Sequence, residues 1–400
     1  MTDVSPKESS GTAQSPSESE GRKREERSSS VTSTGSNSNS TPIFPVGNIP
    51  RTISGVASIA TRGIYGITGE RPREISCRTD DAFVAHSAYL LVTTIQRKLE
   101  ESSYAKVVVG LSGGSTPKAI YAAVRHLSLV AEEQGLERAA STLAQDVPAL
   151  QEEIAEDEQR RHLGSGVDWS RVILFLVDER YVPPDHPDSN QRMIRQQLLG
   201  QTRGISCSRD GSECRKDEVL EIPEENLIFP DTSLPLEDCI VKYRADLLRL
   251  LSSTQRIDLV TLGLGPDGHI ASIFPPVSDE EFRTLMDPST VVLHTKTDKF
   301  PGEDRISLSL QLLCGAHQKV FFLKGEEKIT LWREMQNDRF SKAVQDYPAL
   351  AILESGNVRV VATPPLDVSE ERLQQAIQED DTFFTAIILG ASGDLAHKKT

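Results

Sequence analysis

KVVVGLSGGSTPKAIYAAVRHL, residues 106–127, decides the fold class. It opens with a β-branched apolar run, breaks at two glycines and resumes with apolar residues at helical spacing. Pro117 suits the first helical turn, where a missing N–H costs nothing. The implied unit is strand, tight loop, helix. Working outward, DDAFVAHSAYLLVTTIQRKLEE (80–101) carries a helical apolar period. RVILFLVD from Arg171, IDLVTLGLG from Ile257, KVFFLKG from Lys319 and NVRVVAT from Asn357 are short apolar runs separated by helical stretches. Such runs are strands buried on both faces, so the expected class is α/β with a parallel sheet.

The remaining composition sets limits. Four hundred residues, 37% hydrophobic, suffice for one large domain or two ordinary ones. A net charge of -15 repels phosphate backbones and anionic lipid, which argues against nucleic-acid or membrane partners. An anionic ligand would therefore need a locally basic pocket. No run approaches the roughly 18 to 20 apolar residues of a membrane-spanning helix, and the chain opens on Ser, Glu, Lys and Arg rather than a signal core. A cytoplasmic protein is expected. The cysteines at 77, 207, 214, 239 and 314 include no CxxC pair, so free thiols are expected and no metal site.

Residues 1–70, rich in Ser, Thr, Gly and mixed charge at their start, read as a low-complexity, disordered tail. The main domain is expected over 71–364, with 365–384 as a linker and 385–400 as the start of something else. The acidic stretch 131–161 and the Gly/Ser/Cys-containing stretch 200–220 read as surface excursions from the core.

Four segments carry chemistry. LSGGSTP (111–117) is a glycine-rich strand-to-helix turn: Gly113 and Gly114 let an anion approach the backbone, and Ser112, Ser115 and Thr116 offer hydroxyls. Equally, the glycines could only make the turn while Ser115 or Thr116 caps the helix. LVDERYVPPDHPDSN (176–190) runs from a strand end into Asp178, Glu179 and Arg180; Arg180 is a planar anion ligand, and the acids either orient it or cap nearby turns. LGLGPDGHIASIFPP (262–276) puts His269 beside Asp267 in a loop bent by Gly263, Gly265 and Gly268, where an imidazole can titrate near neutrality. TKTDKFPGEDRISLSLQLL (295–313) brings Lys299 and Arg305, which could close an anion site or belong to a solvated loop.

In this order, LSGGSTP, DERYV..DHPDSN, LGLGPDGHIASIFP and DRISLSL resemble the motif series of the 6-phosphogluconolactonases, from about residue 75 to 363. The resemblance implies a three-layer sandwich around a mainly parallel sheet and hydrolysis of a phosphorylated sugar lactone. It makes His269 the general base with Asp267 as its partner. The substrate phosphate would fall to the 112–116 loop with Arg180, Lys299 and Arg305, and no cofactor or metal would be needed. The chain departs from that family's common SPKPP at TDKFP (297–301). The last residues, TAIILGASGDLAHKKT from Thr385, resemble a different family, the opening of a glucose-6-phosphate dehydrogenase, with Gly390 and Gly393 in the dinucleotide turn. That resemblance implies the front part of a bifunctional fusion, with NADP and any oligomerisation belonging to the dehydrogenase part.

Two other readings share features with this one. Glucosamine-6-phosphate deaminases have the glycine-rich loop and the DGH sequence but usually continue AFNEP, where this chain has Ile273 and Phe274. A non-catalytic sugar-phosphate binding module would hold phosphate without a base, which Asp267 and His269 argue against.

Overall fold

The apolar runs found in the sequence become parallel strands of one sheet. A computed structural model describes residues 71–101, 105–160, 163–164, 166–201, 219–337 and 343–364. The expected tail (1–70), the linker (365–384) and the closing segment with Gly390 and Gly393 lie outside the described residues, as do 202–218 with Cys207 and Cys214.

In chain order, β1 (Arg73–Ser76) leads to α1 (Asp80–Glu100), whose N-cap Thr79 accepts from the Ala82 amide. β2 (Val107–Leu111) is followed by α2 (Thr116–Gln134), α3 (Leu136–Leu143) and α4 (Pro148–Arg160). β3 (Val172–Leu176) runs almost directly into β4 (Asp178–Arg180), before α5 (Asn190–Gln197) and the short β5 (Leu227–Ile228). α6 (Leu236–Thr254) returns to β6 (Leu259–Leu262), followed by α7 (Asp279–Met286) and the hairpin of β7 (Val292–Lys296) and β8 (Asp304–Leu308). α8 (Leu310–Cys314), β9 (Gln318–Lys324), α9 (Glu326–Asn337), α10 (Ala349–Glu354) and β10 (Val358–Thr363) complete the described chain.

The main sheet has the order β1-β10-β9-β6-β2-β3-β5, with every pair parallel. From β2 the chain builds outward through β3 to β5, then returns to the other side of β2 and builds through β6, β9 and β10. The connections after β2 and β6 therefore leave in opposite directions, opening a crevice beyond their carboxyl ends. A smaller antiparallel sheet, β4-β8-β7, continues from the end of β3.

Strand residues alternate between two cores. Val107, Val109 and Leu111 pack with α1 through α4, whereas Val108 joins Val260, Leu262 and Phe321 against α6, α8, α9 and α10. With both faces covered, no position on β2 can be polar, which explains its unbroken apolar run. The layers are helix, sheet, helix, as expected.

The stretch 131–161 corrects its expected role. It forms the end of α2, then α3 and α4, and buries Leu136, Ala139, Ala140, Leu150 and Ile154 in the first core while Glu137, Glu152 and Glu156 face solvent. Its acidity masked an i, i+3, i+4 apolar stripe sufficient to dock two short helices. Cys77, Cys239 and Cys314 are buried free thiols. No helix among the described residues is long and apolar enough to cross a membrane.

One side chain ties the sheet to the turn after β2. Thr261 of β6 accepts from the Ser112 amide at 2.9 Å, and its hydroxyl lies 2.9 Å from Tyr121 Oη. Tyr121, on α2, also donates to the Ser112 carbonyl at 2.9 Å. All three residues are buried. Thr261→Val keeps the shape but leaves the Ser112 N–H unpaired, so it should cost about 1–3 kcal/mol in denaturant unfolding; a variant as stable as the parent would show that the tie contributes nothing.

Candidate active site

The turn after β2 has the geometry of an anion cradle. Gly114 adopts φ +97, in the left-handed region that a side chain would disfavour. Gly113 packs against Asn190, since a Cβ there would lie 1.8 Å from Asn190 Oδ1. Ser115 takes the N-cap position of α2 without a side-chain cap bond, so the reading of it as a capping hydroxyl does not hold. The amides of Gly113, Gly114 and Ser115 have no acceptor among the described residues. They sit at the positive end of a 19-residue helix. The Ser112 hydroxyl, by contrast, is buried 3.3 Å from Thr261 Oγ1.

The second wall comes from β4. Glu179 is fully buried and accepts from the amides of Arg180, Asn190 and Gln191 at 2.7 to 2.8 Å, and from Ser189 Oγ. Burial pushes its carboxyl up to about 7, against the pull of those bonds. Of the two roles open for this acid, it takes the capping one: it folds the 180–191 loop around itself. Asp178 takes a hydrogen bond from Ser272 Oγ at 2.7 Å, linking β4 to the histidine loop. Arg180 Nη1 donates to the Asp188 carbonyl at 2.7 Å, and its buried Nε has no partner.

Arg305 pairs opposite Arg180 in the β4–β8 ladder. Its guanidinium, 4% exposed, donates to the carbonyls of Pro301 and Gly302. Burial, then the neighbouring Arg180 charge, draws its pKa below the usual arginine range. Two cations held side by side in a largely buried wall form a strong anion site.

His269 comes from the turn after β6. Its Nδ1 lies 2.6 Å from Asp267 Oδ1, which fixes the proton on Nδ1 and leaves the Nε2 lone pair free; Nε2 has no partner among the described residues. Gly265 lets the ring lie against the backbone, because a Cβ there would be 2.1 Å from Nδ1. Burial lowers the His269 pKa despite the Asp267 charge, so the imidazole is neutral near pH 7. Asp267 is itself lowered: burial raises it, but the His269 charge and hydrogen bonds prevail.

These elements line one cavity of about 340 Å³, within the range of small-molecule sites. Ser112, Gly113, Gly114, Ser115, Thr116, Arg180, Arg305 and His269 all reach its wall. Lys299 does not. Its side chain is 51% exposed and its Nζ lies 3.5 Å from Asp267 Oδ2 and 3.4 Å from the Pro275 carbonyl, behind the histidine. The turn between β7 and β8 carries it past the cavity, while β8 delivers Arg305 into it.

Sequence reasoning missed Lys328. It lies in the first turn of α9, reaches the cavity wall, and has its pKa lowered by burial. No hydrogen-bond or ion-pair partner for it exists among the described residues. In sequence it is one lysine in GEEK, indistinguishable from a solvated helix face. Among the described residues, no group of three or more His, Cys, Asp or Glu is placed to hold a metal ion.

Comparison with known proteins agrees with this geometry. The family model described as glucosamine-6-phosphate isomerases/6-phosphogluconolactonase matches residues 146–361. A probable 6-phosphogluconolactonase of Dictyostelium discoideum is 34% identical over 253 residues, covering 63% of this chain and 82% of that protein. A bifunctional glucose-6-phosphate 1-dehydrogenase/6-phosphogluconolactonase of Plasmodium falciparum is 24% identical over 374 residues; the match covers 78% of this chain and 35% of that protein. The solved 6-phosphogluconolactonase from Plasmodium vivax superposes with a TM-score of 0.52 at 25% identity, over 72% of this chain and 89% of that one. With the sheet order, the amide cradle and the Asp267–His269 loop all in place, the chain belongs to the glucosamine-6-phosphate isomerase/6-phosphogluconolactonase family.

Proposed function

We propose that this chain hydrolyses 6-phospho-D-glucono-1,5-lactone to 6-phosphogluconate, with His269 as general base. The observation that carries this reading is an imidazole whose Nδ1 is held by Asp267 and whose Nε2 is free, sharing one cavity with an amide cradle and two arginines. The 6-phosphogluconolactonase relatives support the same substrate.

In this mechanism Nε2 takes a proton from water as the water oxygen attacks the lactone carbonyl carbon. Negative charge grows on the carbonyl oxygen, then the ring C–O bond breaks and the ring oxygen takes the proton back from the imidazolium. Asp267 holds the tautomer and stabilises the transient cation. The phosphate, about -1.5 to -2 in charge near pH 7, is held by the 113–115 amides with Arg180, Arg305 and Lys328. No step calls for a cofactor. Lys299 acts from behind, on Asp267, rather than as a phosphate ligand.

The deaminase reading finds less support. The loop after His269 offers Ile273, which is buried, and Phe274, which packs on the imidazole, so it supplies no carboxylate to assist ring opening. For residues 385–400, the GASGDLA sequence and the bifunctional relative support a remnant of a dehydrogenase's dinucleotide fingerprint, including Gly390 and Gly393, that does not hold NADP by itself. An acidic, metabolic enzyme of this kind fits a cytoplasmic location.

His269→Ala should lower kcat by about 10²- to 10⁴-fold in lactone hydrolysis corrected for the spontaneous rate, with glucosamine 6-phosphate as the control substrate. Parent-like turnover in that variant would remove the imidazole from the chemistry. Because burial lowers the His269 pKa, the acid limb of kcat/KM should fall below the unperturbed histidine value of about 6.5, with activity lost as the pH drops through it. Lys328→Ala should raise KM roughly tenfold with kcat nearly kept; Lys299→Ala, breaking an exposed ion pair, should change KM by less than about threefold. The reverse order would return the phosphate to Lys299.

A further inference from the structure

The His269 ring is enclosed by two aromatic side chains. Phe274, from its own loop, has its ring centroid 4.8 Å away, and Phe300 has its centroid 5.1 Å away, edge-on at 63°. Phe274 and Phe300 in turn stack on each other at 6.0 Å and 29°. Both line the cavity and both are only half-buried, so neither belongs to the two cores.

Phe300 differs from Phe274 in origin. It sits in the turn between β7 and β8, on the small sheet, and reaches across to a histidine held by the large one. That turn is held firmly: Thr297 N donates to the Glu303 carbonyl at 3.0 Å, Lys299 Nζ reaches the Pro275 carbonyl, and Arg305 ties down the carbonyls of Pro301 and Gly302. A half-buried phenyl group on a fixed turn has a defined position, and here that position is against the imidazole. Phe300 also stands where the chain departs from the SPKPP pattern, so the ring contact is a feature of this sequence.

We propose that Phe300 is a positioning residue for the base: it closes the solvent side of His269, keeps the ring uncharged and holds Nε2 toward the substrate. This rests on the lactonase reading for its catalytic consequence, though not for its effect on the ring itself.

Two effects of a phenyl group on imidazole oppose each other. Excluding water disfavours imidazolium, whereas an aromatic face attracts a cation by about 0.5–2 kcal/mol. Burial is the leading influence on His269, so the first effect is the larger here. The charged groups around the ring are Asp267 at 2.6 Å, Asp178 and Arg305 across the cavity, and Lys299 through the second oxygen of Asp267. All four remain in a Phe300 variant, so a change in titration reports the loss of shielding.

The test compares the parent chain with Phe300→Ala and Phe300→Leu, with folding checked by thermal melting. His269 is titrated by NMR of its imidazole protons, which needs no substrate, and kcat/KM for the lactone is measured across pH. Phe300→Ala should titrate at higher pH than the parent, with Phe300→Leu between them. In Phe300→Ala, kcat/KM should fall roughly three- to tenfold more on the acid side than at the neutral plateau. A His269 titration unchanged or moved downward in Phe300→Ala overturns the proposal. Should the parent show no lactonase activity, the NMR titration still decides the role of Phe300, so the two readings fail separately.

Discussion

The divergence of the chain on either side of β2 is the constraint on which the site depends. Two adjacent parallel strands, β2 and β6, end side by side, and their connections must leave toward opposite edges of the sheet. The backbone cannot cover the space between them, so the amides of one turn and the imidazole of the other face the same opening. Thr261 makes this arrangement rigid, because its hydroxyl on β6 binds the first amide of the turn after β2. The amide turn and the His269 loop thus share a support one hydrogen bond wide.

Around that opening the structure uses buried polar groups to fix geometry rather than to add stability. Glu179 gathers three amides and a hydroxyl into one carboxylate and so gives the 180–191 loop a single conformation. Asn190, placed by that loop, donates to the Asp178 carbonyl and packs against Gly113, joining the second wall to the first. Asp178 reaches Ser272 and joins both to the histidine loop. Each link is buried, where an unpaired partner would be costly, so the links hold together as a unit.

The electrostatics divide the cavity by task. An acidic chain of net charge -15 keeps two arginines and a lysine facing one small volume, where burial and then like charge depress Arg305 and burial depresses Lys328. Both shifts oppose the charged state and would be relieved by an anion. The histidine end is the reverse: burial, with two aromatic rings beside it, keeps the imidazole neutral despite the Asp267 carboxylate.

The sequence by itself determined the layers and the strand-end position of the Asp267–His269 loop. Unbroken apolar runs at 107–111 and 172–176, and a mainly apolar one at 259–262, require strands buried on both faces, and glycines beside Asp267 and His269 require a bent loop at a strand end. These features are local, so spacing and residue type reveal them. The acidic stretch 131–161 was less legible because its charges outweighed a narrow apolar stripe that has meaning only against α1 and α2. What the tertiary structure alone decided is which cations face the cavity. Lys299 and Arg305 lie six residues apart, yet one turn sends the first behind the histidine while the strand register places the second opposite Arg180. Lys328 and Phe300 arrive from elements distant in the chain. Their roles depend on direction and distance between separate layers, quantities that no linear pattern of residues carries.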